Sequence, residues 1–368
     1  MPIFPFDDEK LTQELIDRVG VVQSRILTII AANIEDEIDS DNWRVIQSRK
    51  INQLLRQVAE ELGTLTPDAI RDILEQAYQL GIDSADADVN EAASNGARGV
   101  RQAIERASNA ELVGTPVIGA SQYGLIALVT QMNTEMEDVK ESILRTVRDD
   151  YRAIVSKVID DNLVGTETRR QAAQRALNDF AQQGITAFRD QAGRRWELES
   201  YVEMATRTAT GRAKMYGHAA RQMEYGFDLV QTSFHSDSSD TCRPYQNKVY
   251  SLSGTSDRFP PYQRALQGGF QHPNCRHTIS TYFEGYSELV KDTPPAAQVK
   301  EQYEERQQQR QIERNIRKWK KRAAVAITPQ ERQKAQAKTR EWQGVMSEFI
   351  DSTGRTRARR REQLKGVR

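Results

Sequence analysis

The chain has 368 residues, with 52 Lys+Arg against 52 Asp+Glu, 28% charged residues and only 7% aromatics, and a mean hydropathy of -0.70. That balance excludes a sheet-rich, compact enzyme core and fits long polar helices, each with one apolar stripe and the rest solvated. It also excludes a membrane-spanning segment, because the longest apolar run, near YGLIALV (123–129), falls far short of the roughly 20 residues a span needs.

The N-terminal MPIFPFDDEK has no basic stretch followed by an apolar run, so no secretory signal is expected. In a cytosolic product two cysteines do not make a disulfide framework. Residues 1–112 form an N-terminal helical region, with helices in series from 11 to 112. TPDAIRDILEQAYQLG (66–81) carries the local signals: Thr66 as cap, Pro67 at the first helical position, Asp68 at the positive helix end and Gly81 as a stop. VGTPVIGA (113–120) breaks the pattern and reads as a linker or hinge.

A long-helix region follows at 121–183. Leu125, Leu128, Met132, Met136, Val139, Ile143, Val147, Tyr151, Ile154 and Val158 recur at steps of three and four, which places them on one face of a single helix ending near Gly165. About 40 residues reach about 60 Å, too long for one small domain to cover, so an extended bundle or packing on neighbouring molecules is expected. A shorter helix is predicted at 167–183. Within 184–228, Tyr201, Ala205, Ala209, Ala213, Tyr216, Ala220 and Met223 keep helical spacing, and His218 among the alanines reads as a packing or surface residue. From 229 the texture changes to short strands at 229–235, 248–252 and 278–283, separated by Ser/Asp/Gly/Pro loops.

The last region, 291–368, returns to helix. RNIRKWKKR (314–322) is basic around Trp319, TPQE (328–331) is a capping box with proline at the first helical position, and the end is RTRARRREQLKGVR (355–368). From 301 to 368 there are 19 Lys+Arg against 9 Asp+Glu, an excess of ten positive charges balanced by an equal negative excess in the first 300 residues. Such asymmetry marks either a tail for a polyanion or acidic partner, or a solvated helical tail. Arg314, Arg317, Lys318, Lys320, Lys321, Arg322, Arg355, Arg357, Arg359, Arg360 and Arg361 are its candidate DNA or partner contacts.

The chemistry-bearing residues gather in the β-containing stretch. HPNCRH (272–277) holds two of the four histidines and one of the two cysteines, and Cys242 lies 33 positions before Cys275. Cys242, His272, Cys275 and His277 are ligands of the kind tetrahedral zinc prefers, and a metal would help a module of about 60 residues with few large apolar side chains. The competing readings are a packed thiol pair with solvent-facing histidines, or a catalytic or disulfide role. HSDSSD (235–240) sets Ser and Asp beside His235, but adjacency in sequence does not assemble a triad. The sequence has no Gly-rich phosphate loop and no H-E-x-x-H, so no catalytic residue and no organic cofactor is assigned.

GITAFRDQAGRRWELESYVEMATRTATGRA, YGFDLVQTSFHSDSSDTCRPYQNKVYSLSG and HPNCRHTISTYFEG, in that order, resemble the phage minor capsid protein 2 family, akin to the Mu-F-like head morphogenesis proteins. The shared features are a D-x-x-G-R-x-W turn, a helix with the pair Arg207 and Thr208, G-x-D-L-V, S-x-H, Q-x-K-V-Y-S-L-S-G and N-C-R-H, over about residues 184–290. Mu-F-like chains often show C-x-x-C and then H-P-x-C-R-C; here Tyr245 and His277 replace the second and fourth cysteines. A four-cysteine site is therefore excluded, and His272 or His277 would complete a mixed one.

The resemblance implies a minor capsid and head morphogenesis protein of a tailed phage, a structural virion component and not an enzyme. It further implies a place inside the head near the portal protein, several copies per virion, contact with major capsid or scaffolding protein, and passage through the host cytoplasm during assembly; it does not cover the basic tail, whose charge alone makes packaged double-stranded DNA its expected partner. The alternatives are a zinc-dependent, nuclease-like enzyme acting on phage DNA, and a DNA-binding accessory protein. The expected fold is mainly α with a small α+β module: an elongated long-helix bundle, a minor-capsid module at 184–290 whose β subdomain is at about 229–290, and a basic helical tail.

Overall fold

The computed structural model describes residues 8–113, 119–163, 168–183, 187–189 and 195–365. Six helices come first: α1 Asp8–Glu35, α2 Trp43–Gly63, α3 Pro67–Ser94, α4 Val100–Val113, α5 Gly119–Leu163 and α6 Arg169–Gln183. A short antiparallel pair, β1 Ala187–Arg189 and β2 Arg195–Glu197, precedes α7 Leu198–Glu224. Then come β3 Leu229–Thr232, β4 Val249–Ser251, α8 Tyr262–Gln267, β5 Ile279–Thr281, α9 Ala296–Ala324 and α10 Pro329–Thr353. The fold is mainly α with a small antiparallel sheet, as the sequence predicts. The predicted linker at 113–120, the end of the long helix near Gly165 and most of the D-x-x-G-R-x-W turn lie outside the described residues.

The chain divides into two units of interleaved segments. The first comprises Met1–Leu15, Pro67–Thr134 and Glu203–Glu304, the second Ile16–Thr66, Glu135–Val202 and Glu305–Arg368. Residues 229–290 fall wholly in the first; the helical stretches before and after divide between the two.

The second unit is helical. Ile26, Ile30, Ile34, Leu54, Val58, Ile143, Val147 and Tyr151 are almost fully buried in it. Trp43 Nε1 donates to Ile34 O at 3.1 Å, and the Tyr151 hydroxyl bonds the buried Gln47 side chain, so the two large polar-tipped rings meet their hydrogen-bonding needs inside. The unit's part of the α5 stripe, from Met136 to Val158, is buried, and Leu128 and Met132, earlier on the same 45-residue helix, are buried in the first unit. α10 begins as its sequence dictates: Thr328 Oγ1 accepts from Glu331 N at 3.3 Å, Pro329 opens the helix, and Gly354 closes it at φ 67°.

The first unit carries the sheet. Its order is β4-β3-β5, all antiparallel, with Val230 opposite both Tyr250 and Thr281 and Gln231 opposite Ser280. Alternation sends Val230, Tyr250 and Ile279 to one face, where they join Met215 of α7, Tyr262 and Ala265 of α8, Phe270 and Cys242 in a common core. Gly81 is not the predicted helix stop, because α3 continues to Ser94. A Cβ on Gly81 would lie 1.9 Å from Lys214 O, and one on Gly217 would lie 2.0 Å from Tyr78 O. The two glycines let α3 and α7 cross with their backbones almost touching.

His218, on α7, is a core residue, 2% exposed, with Nε2 3.4 Å from Thr281 Oγ1 and 3.6 Å from Asp88. Burial lowers the His218 pKa to about 4 and raises that of Asp88 to about 7. Both shifts favour the neutral forms, so desolvation outweighs mutual attraction and this contact is not an ion pair.

Candidate functional site

The cysteines and three of the histidines sit on two loops beside β3 and β5. After β3, Cys242 N donates to Ser239 O at 3.1 Å and to Ser239 Oγ at 3.3 Å, and a single 3-10 turn, Arg243–Tyr245, follows. The second loop makes its bend at His272–Cys275. Cys275 N donates to His272 O at 2.9 Å, Pro273 is the second residue of the turn, and Asn274 is left-handed at φ 67°. That is the Pro-then-Asn order a tight turn with a positive φ at its third position requires.

α7 holds this turn in place. Thr208 Oγ1 accepts from Asn274 N at 3.1 Å, and Arg207 Nη1 lies 3.4 Å from Asn274 Oδ1. Arg207 is itself braced by Glu203 at 3.0 Å. The Arg207 and Thr208 pair thus anchors the loop that carries Cys275.

The turn brings Cys275 Sγ to 3.4 Å from Cys242 Sγ and 3.3 Å from His277 Nδ1. The three candidate ligand atoms all lie within 4.8 Å of one another. Both thiols are free, and their separation is far beyond the roughly 2.05 Å of a disulfide. Zinc bond lengths put tetrahedral ligand atoms about 3.5–3.8 Å apart, so the donor set and its spacing fit that ion after a small opening of the pair.

Gln246 prepares His277 for such a role. Gln246 Oε1 accepts the backbone N–H of His235 at 3.1 Å, which fixes it as the oxygen, and it also lies 2.9 Å from His277 Nε2. Nε2 therefore carries the proton, and Nδ1 turns its lone pair to Cys275. A metal-bound histidine has the same arrangement, with its far N–H held by an oxygen.

The two thiols lie within hydrogen-bonding distance, so one proton can serve both. Cys275 beside it, with His272 and His277, draws the Cys242 pKa well below the usual thiol range. The Cys242 sulfur and burial hold that of Cys275 well above it. Removing the shared proton leaves two thiolates 3.4 Å apart, which a divalent cation in its place would stabilise.

His272 is placed differently from the other three predicted ligands. Its Nδ1 is 2.7 Å from Pro273 O and so donates, leaving Nε2 to accept from Ser239 Oγ at 2.7 Å. It approaches Cys242 closely enough to lower that thiol's pKa, but to become a ligand it would have to release Ser239. His235 stays outside the group: Nε2 is 3.1 Å from Arg276 O, and the ring packs edge-on against His277 at 4.8 Å. Tyr245, at the missing cysteine position, is a packing residue whose ring leans on Phe270 and occupies the space a Gly268 side chain would need.

The basic tail is tied down within the second unit. Gln309, Glu313, Arg317 and Lys321 recur every four residues on the buried face of α9, so helical periodicity draws Arg317 and Lys321 inside. Arg317 donates to Arg361 O, and Lys320 Nζ meets Gln363 Oε1 at 2.7 Å, its pKa lowered chiefly by burial. Arg322 pairs with Glu331 at 3.0 Å and lies over the Trp319 ring. Arg355 bonds Gln309 at 3.0 Å, and Arg357 makes two bonds, 2.6 and 2.7 Å, to Glu362, which is 2% exposed. Arg361 and Lys318 are half-buried. Arg314, Arg359 and Arg360 are at the surface, the last 3.2 Å from Asp17.

Sequence reasoning did not assign roles to Gln246, Ser239 or Asn274. The available signal was the motif Q-x-K-V-Y, which begins at Gln246. Among the described residues no helix is long and apolar enough to cross a membrane.

Comparison with known proteins gives three findings. The model of the family described as phage minor capsid protein 2 matches residues 7–351. A "Structural protein" of Lactococcus phage LL-H is 27% identical over 185 residues, which cover 48% of this chain and 50% of that relative, so the chain spans about half of its length. No solved structure matches.

Proposed function

The chain belongs to the phage minor capsid protein 2 family, and from that premise we propose that it is a non-enzymatic structural component of the phage particle, bound to the portal protein inside the head. The observation that carries the proposal is the extent of the family match, which takes in the helical stretches as well as the sheet module. The 45-residue α5 supports it, since a long amphipathic helix suits a protein that packs along an assembly. Major capsid or scaffolding protein is a further partner, several copies enter each particle, and assembly begins in the host cytoplasm.

Packaged double-stranded DNA is the proposed partner of the surface cations Arg314, Arg359 and Arg360, together with the half-buried Lys318, which would release counterions from phosphates. Arg317, Lys321 and Arg357 serve the fold first.

The Cys242, Cys275 and His277 group is proposed as a structural zinc site that joins the two loops, with His272 the fourth ligand after releasing Ser239. Elemental analysis of the purified chain should find about one zinc, lost in Cys275→Ser.

Co-purification of the full chain with portal and major capsid protein, together with mass spectrometry of purified particles, tests the main reading. Association with the portal and presence in particles are expected. Association with neither, and absence from particles, would sink it. One feature favours a zinc-dependent nuclease instead: three ligands leave a fourth position open. No carboxylate joins the group among the described residues to act as a base. DNA cleavage that needs zinc and disappears in Cys275→Ser would replace the structural reading.

A further inference from the structure

Within the second unit, α9 and α10 meet the end of the chain around an open groove of about 810 Å³. α10 gives it one helix face, since Arg332, Gln336 and Arg340 recur every four residues. α9 gives it Lys320, Ala323 and Ala324, again at helical spacing. The two alanines stop at Cβ, so α9 leaves space here that longer side chains would fill.

Three of the lining side chains, Lys320, Arg332 and Arg340, are cationic, and no Asp or Glu joins them among the described residues. The carboxylates next to lining residues in sequence are engaged elsewhere. Glu331 pairs with Arg322 at 3.0 Å, Glu341 with Lys338 at 2.7 Å, and Glu362 accepts two bonds from Arg357. Arg340 has no carboxylate partner among the described residues. Like charges gathered in one groove repel each other, and Lys320 is half-buried besides. An anion in the groove relieves both costs.

The groups that remain available are donors. Lys320 Nζ donates to Gln363 Oε1 at 2.7 Å, which leaves the amide nitrogen of Gln363 to donate outward. Arg332 uses one Nη2 bond on Ala326 O at 3.0 Å and keeps the rest of its fork. A carboxylate ligand brings two oxygens and one charge. A phosphate group brings more oxygens and up to two charges, and guanidinium forks bind it two bonds at a time. The second match is the closer one for a groove with two forks and an ammonium.

We propose that this groove binds a phosphate group, held by the guanidinium groups of Arg332 and Arg340 with the Lys320 ammonium and the Gln363 amide beside it. The group belongs either to a free phosphate or to a nucleic-acid backbone. The inference does not depend on zinc, nor on the assignment of DNA to Arg314, Arg359 and Arg360.

Calorimetric titration of the full chain at fixed ionic strength, with inorganic phosphate and with a short DNA duplex as separate probes, tests it. Arg332→Gln and Arg340→Gln each weaken at least one probe by about tenfold or more, the usual effect of losing a bond to a charged group. Lys334→Gln, which removes an exposed charge of α10 outside the groove, has a far smaller effect on that probe. Arg340→Gln keeps the parent's thermal midpoint, because it breaks no ion pair. A loss confined to inorganic phosphate assigns the groove to a free phosphate, and a loss that includes the duplex assigns it to the backbone. If neither probe binds, or neither distinguishes the two arginine variants from Lys334→Gln, the groove is overturned. Duplex binding still sensitive to Arg359→Gln would then leave the reading of the tail intact.

Discussion

The Gln246 side-chain oxygen lies 2.9 Å from His277 Nε2, and the same oxygen accepts the backbone N–H of His235. One amide therefore fixes both the orientation and the tautomer of the only histidine in the cysteine group. Gln246→Leu removes the acceptor while keeping the bulk. Zinc affinity, measured by competition with a chromogenic chelator, should fall 10- to 100-fold, the usual effect of losing such a support. Unchanged affinity would show that His277 does not bind the metal through Nδ1.

The crossing of α3 and α7 depends on having no side chain at Gly217. A Cβ there meets Tyr78 O at 2.0 Å, whereas one on Gly211 of the same helix meets nothing within 4 Å. Gly217→Ala should cost about 3 kcal/mol through forced separation of the two backbones. Gly211→Ala should stabilise by about 0.5–1 kcal/mol, the ordinary gain of alanine over glycine in a helix. Urea midpoints of the two variants should move in opposite directions, and a Gly217→Ala protein as stable as the parent would refute the close crossing.

Much of this architecture could be read from the sequence. The stripe from Leu128 to Val158 gave α5 because its spacing is local and long. Thr328, Pro329 and Glu331 gave the start of α10, and β3, β4 and β5 each fall inside a predicted strand. Gly81 was misread because its partner lies about 135 positions away on α7, where no local pattern reaches. Of the four candidate ligands read from the sequence, three are brought together. Cys242, Cys275 and His277 meet, but the Ser239 hydroxyl that engages His272 is not signalled by spacing. In the tail, charge counting overlooked that Arg317 and Lys321 repeat every four residues on an inward face.

Asp88 and His218 should tilt the pH dependence of stability in opposite senses. His218 falls from 6.5 to about 4 on folding, so its contribution is complete above about pH 6.5 and is lost as pH drops towards 4. Asp88 rises from 3.8 to about 7, so its contribution is complete below about pH 4 and is lost as pH climbs to 7. Lys214 is the charge that, after burial, helps to lower the His218 pKa. Relative to the parent between pH 4.5 and 6.5, Asp88→Asn should gain up to about 1.4 kcal/mol per pH unit as pH rises, and His218→Asn should lose as much. Denaturant titrations at three pH values read both slopes, and parallel curves would refute the neutral pairing.

The C-terminal segment is held by one ion pair above the rest. Arg357→Leu leaves the Glu362 carboxylate, 2% exposed, without its two hydrogen bonds, a change that should cost about 3–5 kcal/mol. Arg359→Leu, at the surface, should cost under about 0.5 kcal/mol. Limited trypsin digestion should release the segment after α10 from the first variant faster than from the second, and equal rates would refute the anchoring role of Arg357.

The clamp of Arg207 and Thr208 on Asn274 links the reactivity of a thiol to the seating of a helix. Cys275 is half-buried and lies one residue beyond the clamped backbone, so release of Asn274 by Thr208 should expose it further. A slow alkylating reagent should therefore act as a clock for α7. Any partner that peels this helix away during assembly would be timed by the labelling of one cysteine, with no need to see the assembly itself.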